Sequence, residues 1–160
     1  MPQRVQMSGR AAVSSTIASI TSTAALALLA RREGKAALQP LNATSHWLHG
    51  PAAASVEKAD LSHTGVGYLT HHTAMLFWAA LFELWIQRHR PVAPLPLLRD
   101  AMTMSAVAAF ADYVLTPKRF TPGWEFVLSK RSMAATYAAM ALGLAAGTLL
   151  IQHSLKETDR

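Results

Sequence analysis

With 160 residues, 51% of them apolar and 15% charged, the chain fits one domain but is too oily for a typical water-soluble domain of that size. It has no cysteine, which excludes disulfides, thiolate metal ligands and thiol nucleophiles and leaves histidine as the main candidate ligand. The net charge of +6 would suggest nucleic acid only if the basic residues shared a face. Arg31-Arg32, Arg88-His89-Arg90, Lys118-Arg119 and Lys130-Arg131 sit instead at the ends of apolar segments, where membrane helices keep them, so no nucleic-acid partner is expected.

Four segments are predicted to be membrane-spanning helices, given that ~30 Å of hydrocarbon takes roughly 20 helical residues. The first, Ala11–Ala30, follows a basic tail ending at Arg10 and carries no charge. A secretory signal has the same pattern, but the length of the stretch and its serine and threonine content favour a retained span. Ser15, Ser19 and Thr23 recur every four residues and predict a small-residue packing face. In the long connection over residues 31–65, Trp47 between His46 and His49 predicts a short interfacial segment.

The second span, Val66–Gln87, holds His71, His72 and Glu83. Ionisable groups in hydrocarbon are costly unless paired or hydrated, so they are expected to face a bundle interior. The turn RHRPVAPLPLLRD contains three prolines and predicts a semi-rigid crossing, with helix resuming only after Pro96. The third span, Arg99–Thr116, is therefore short, and PKRFTPGWEFVLSKR leads back through the interface. The fourth, Met133–Gln152, carries Ala139, Gly143 and Gly147 as a GxxxG packing face.

The fold expected is all-α: an integral membrane four-helix bundle with a long interfacial first loop, a single four-span domain over residues 1–160. Its expected location is a bacterial-type inner membrane, multi-pass. Lysine and arginine fall eight on one side and seven on the other, so the positive-inside rule leaves orientation open. Trp47, Tyr68, Tyr113, Trp124 and Tyr137 are expected to form an aromatic belt on one side, with Trp85 on the other.

Relative sidedness is enough to assemble a candidate site. Five of the seven histidines, His46, His49, His63, His71 and His72, lie in the first loop or the first turns of the second span. Asp112 reaches a similar depth from the same face, and helical phase puts it on a small, inward-facing stripe with Ala101, Ser105 and Ala108. His72 and Asp112 are therefore expected to meet inside the bundle. Glu83, nearer the opposite face, is expected to pair with Arg99, Arg88 or Arg90.

These groups support three functional readings. In the first, the protein is a non-enzymatic accessory or assembly subunit in which His72, Asp112 and Glu83 are polar clamps between helices. The lipid bilayer, other membrane helices or a second copy of the chain are then its partners. In the second, His46, His49, His63, His71, His72 and Asp112 hold a transition metal or a haem for redox chemistry. In the third, a small proton-coupled transporter uses the same acid and imidazole groups as a relay. No phosphate loop, GxSxG elbow, HExxH helix or pair of catalytic carboxylates is present, so an enzyme is not the expectation.

Overall fold

The computed structural model describes residues 2–89 and 93–158, and the side chains of 7–88 and 93–154; their regular structure is entirely helical, with no strand among the described residues. Four long helices carry it: α1 (Pro2–Arg32), α2 (Val66–His89), α3 (Pro94–Phe110) and α4 (Lys130–Thr158). Each coincides with one of the four predicted segments, the third continuing through a π-helical turn at Ala111–Leu115.

Helix α1 has no glycine or proline between Arg10 and Glu33, and it stops where Gly34 adopts a φ of 74°. There the Lys35 N–H reaches back to the Ala30 carbonyl at 2.8 Å and Gly34 N–H to Arg31 at 3.1 Å, the paired bonds of a Schellman stop. Helix α2 starts from Asp60, whose carboxylate accepts the His63 N–H while Thr64 Oγ1 accepts the Asp60 N–H, a reciprocal cap over the π-helical turn Leu61–Gly65. The expectation that helix resumes only after Pro96 is corrected. α3 begins at Pro94, because Pro94 and Pro96 both fall in the first turn, where backbone N–H groups have no intrahelical partner to lose. Residues 90–92 of that turn lie outside the described residues.

The Glu33 carboxylate sits at the N-terminus of α4. Ser129 Oγ and Ser132 Oγ donate to its Oε1 at 2.6 and 2.5 Å, and the Ser129 N–H donates to Oε2 at 3.0 Å. These bonds, those from the Ser129 and Ser132 hydroxyls first, hold Glu33 below the usual carboxylate range. A depressed folded-state value stabilises the fold fully above the unfolded value of 4.5, and that contribution fades as pH falls through the folded value. The thermal midpoint is expected to fall on acidification below that point, and Glu33→Gln to flatten part of the slope. An identical acid slope in the variant would show that this carboxylate is not responsible.

In the bundle, α1 packs chiefly on α4 and then on α2, and α3 packs on α4, while α2 and α3 barely touch although they are consecutive. The α1–α4 contact is a backbone approach. A Cβ added at Gly143 would stand 2.5 Å from Ala18 Cα, and one at Gly147 2.6 Å from Ser14 Cα. The expected GxxxG face therefore meets Ser14, Ala18 and Thr21 of α1, and Thr21 Oγ1 donates across to the Ala139 carbonyl at 3.0 Å.

One end of the bundle is knit together by the two long connections. Trp124 Nε1 donates to Thr44 Oγ1 at 3.1 Å, Arg119 Nε to the Trp47 carbonyl at 3.2 Å, and Asn42 Nδ2 to the carbonyls of Val56 and Lys58. Gly123, with a φ of 81°, lies directly under the Ala43 carbonyl, where any side chain would collide. The short helices Gln39–Ala43 and His46–His49 stand where an interfacial segment is expected. Trp124 and Tyr137, however, are core residues at 2% and 6% exposure, which corrects their placement in an outward-facing belt.

Two of the long helices, over Met7–Arg32 and Lys130–Ser154, are long and apolar enough to cross a membrane. α2 carries the ionisable His71, His72 and Glu83 within its apolar run, and α3 has only 17 residues before its π-helical turn. Polar and apolar side chains share the interior, where Phe82, Leu97, Met140 and Leu144 form part of the core. Ser14, Ser15, Ser19, Ser22, Glu83, Thr136 and Thr148 are fully buried, while Leu28, Leu69, Phe77, Phe110, Leu142 and Leu150 point outward.

Candidate functional site

Three polar nodes lie between the helices, and each is built around one ionisable side chain. The first is Glu83 of α2, fully buried. Its Oε2 accepts from Arg10 Nε at 2.9 Å, and its Oε1 accepts from Ser14 Oγ and Thr148 Oγ1, both at 2.7 Å. The expectation that Glu83 pairs with Arg99, Arg88 or Arg90 is corrected. Arg99 turns to its neighbour Asp100 at 3.2 Å, Arg88 is exposed, Arg90 lies outside the described residues, and the cation comes from α1. α1 begins eight residues before Arg10, at Pro2, so Arg10 is a helical residue one turn from Ser14 and both reach the same carboxylate.

The second node is His71, nearly fully buried, whose Nε2 lies 2.9 Å from Ser22 Oγ of α1 and whose ring stands 5.7 Å from that of Trp124. Since Ser22 Oγ also donates to the Ala18 carbonyl at 2.6 Å, the imidazole is tied into the α1–α2 contact. The third node is Asp112 in the π-helical turn after α3. Its Oδ2 accepts from Tyr137 OH of α4 at 2.6 Å, and the Tyr137 ring packs edge to face on Tyr113.

The expected meeting of His72 with Asp112 is not found. His72 stacks on Tyr68 at 5.9 Å with its buried Nδ1 unpartnered, and among the described residues Asp112 bonds only Tyr137. The layout of the bundle is the reason: α3 packs on α4 and barely meets α2, so Asp112, on the inward side with Ser105 and Ala108, reaches Tyr137 of α4 instead.

The remaining histidines also go separate ways. Both ring nitrogens of His46 lie against backbone carbonyls, Nδ1 3.0 Å from Ala43 and Nε2 3.2 Å from Lys118. His49 and His63 do come together, with ring centroids 4.6 Å apart, but His63 Nδ1 is 2.9 Å from Asp60 and His49 Nε2 is 3.1 Å from the Ser62 carbonyl. The His63 N–H and imidazole hold Asp60 below its usual value, as a capping carboxylate would be held. Among the described residues no group of three or more His, Asp or Glu side chains could hold a metal ion.

Sequence reasoning missed Arg10, Ser14, Ser22, Tyr137 and Thr148 as polar partners. The four-residue spacing of Arg10, Ser14, Ala18 and Ser22 was the available signal, a stripe one residue out of step with Ser15, Ser19 and Thr23. Between α2 and α3 the loose contact opens a groove of about 750 Å³, lined by Leu69, Thr70, Thr73, Phe77 and Trp78 on one wall and by Asp112 and Thr116 on the other. No protein family, curated protein or solved structure matches this chain.

Proposed function

We propose that this is a non-enzymatic, multi-pass helical membrane protein of a bacterial-type inner membrane, an accessory or assembly subunit whose four long helices all span. The outward-facing apolar side chains carry the reading: Leu28, Phe77, Phe110 and Leu142 on all four long helices suit a hydrocarbon solvent, and two of those helices are long and apolar enough to cross one. The nodes support the clamp role. Between them the two oxygens of Glu83 accept three donors from two other helices, which is what a carboxylate needs to stay in a bundle core. The scattering of His46, His49, His63, His71 and His72 over separate partners gives the metal and haem reading no assembled ligand set.

The natural absence of cysteine allows a direct test with single-cysteine variants. In intact membranes, cysteines at Leu28, Phe77, Val107 and Leu142 are expected to resist a membrane-impermeant maleimide, whereas cysteines at Lys58 and Lys118 react from one and the same side. Labelling of Phe77 and Val107 at the rate of Lys58 would remove the second and third spans. Recovery of the protein in a high-speed supernatant without detergent would remove the membrane reading altogether.

A further inference from the structure

The groove between α2 and α3 combines two features. Its walls are apolar and aromatic, with Phe77 exposed and Trp78 against the core, and the carboxylate of Asp112 stands on one wall. Among the described residues no ion pair joins that carboxylate to a cation, as Arg10 is joined to Glu83 and Arg99 to Asp100. Tyr137 occupies only Oδ2, so Oδ1 has no protein partner among the described residues. Arg119, seven residues on, is held by its Nε on the Trp47 carbonyl.

From this charge complementarity we infer that the groove is a binding site for an amphiphilic monocation, an ammonium or phosphonium centre carried on an apolar body. The body lies along Leu69, Ala74, Phe77 and Trp78, and the cationic centre lies against Asp112. A volume of about 750 Å³ falls within the range of small-molecule sites. The aromatic rings of Phe77 and Trp78 add cation–π attraction. An acyl chain would use the walls and leave the carboxylate without a partner. A partner helix, about 10 Å across, would fill 750 Å³ within roughly two turns and has no use for the carboxylate. The site goes beyond the proposed accessory role, and its test in detergent solution does not depend on how many helices span.

The experiment is equilibrium dialysis of labelled tetraphenylphosphonium against the full-length purified protein in neutral detergent micelles, with micelles alone as background. Saturable binding near one per chain is expected. Tetraphenylborate, the same shape with the opposite charge, is expected not to compete. Asp112→Asn keeps an acceptor for Tyr137 and is expected to weaken binding by roughly tenfold to a hundredfold, the worth of a bond to a charged group, while Asp112→Glu retains most of it. Ala74→Phe fills the groove from an exposed position that the fold does not depend on, and is expected to weaken binding comparably. Equal competition by the borate, or wild-type affinity in Ala74→Phe, would overturn the proposal whatever happens to the fold of the aspartate variant.

Discussion

Replacing Glu83 with alanine is expected to be among the most damaging single changes in this protein. The substitution leaves Arg10 charged, with its side chain 15% exposed and its partner gone, and it strips the acceptor from Ser14 and Thr148. Removing one member of a buried ion pair costs about 3–5 kcal/mol, most of it the penalty of the charge left behind. For a chain of this length that is on the order of 10 °C in thermal midpoint. Glu83→Gln keeps an acceptor oxygen for the hydroxyls and loses only the ion pair, so a smaller loss is expected. Adding Arg10→Met to Glu83→Ala should recover part of the damage, because the orphaned cation is then gone as well. Unfolding of the detergent-solubilised variants by heat or by denaturing detergent reads all of this. A double variant whose loss equals the sum of the singles would show that the two side chains do not interact, and the node would have to be redrawn.

Glycine-to-alanine substitutions should split by position in a way that propensity alone does not predict. In a helix, alanine is favoured over glycine by roughly 1 kcal/mol. Gly9 of α1 has nothing within 4 Å of the site of an added Cβ, so Gly9→Ala is expected to be neutral or slightly stabilising. At Gly143 and Gly147 the same methyl group would sit 2.5–2.6 Å from the backbone of α1, and each substitution is expected to cost about 1–3 kcal/mol as the two helices are pushed apart. Gly147 carries the larger consequence. Its neighbour Ser14 is also a donor to Glu83, so separating the backbones at that point weakens the polar node as well. Thermal midpoints of the three variants decide the matter, and a common response at all three positions would contradict the close approach.

The four helices were legible because nothing but an apolar helix accommodates segments such as Val66–Gln87, and the punctuation at Gly34 and Gly50-Pro51 is local chemistry. The packing of Gly143 and Gly147 was legible for the same reason: small residues at four-residue spacing have few other uses. The polar partners were not. Arg10 precedes the apolar run and reads as a headgroup charge, and only the extension of α1 back to Pro2 makes it a helical residue beside Ser14. Its partner is 73 residues away, a separation at which local pattern carries no information. The failure at Asp112 is of another kind. A helical wheel finds the inward side of a helix but not the neighbour it meets, and α3 turns that side to Tyr137 of α4 rather than to His72 of α2.

The helices α1 and α2 each carry one half of an opposite-charge couple, and this has a bearing on biogenesis. On the proposed membrane reading, a lone arginine on the first helix or a lone glutamate on the second resists entry into hydrocarbon until it is paired. The two helices lie antiparallel in sequence order and meet through Arg10 and Glu83, so a hairpin entering the lipid as one unit carries no net charge at that level. Thr148 arrives only with the last helix. In the proposed membrane topology the couple would therefore link the fate of the earliest helix to synthesis of the second, and leave α4 to close a pair that is already electrically neutral.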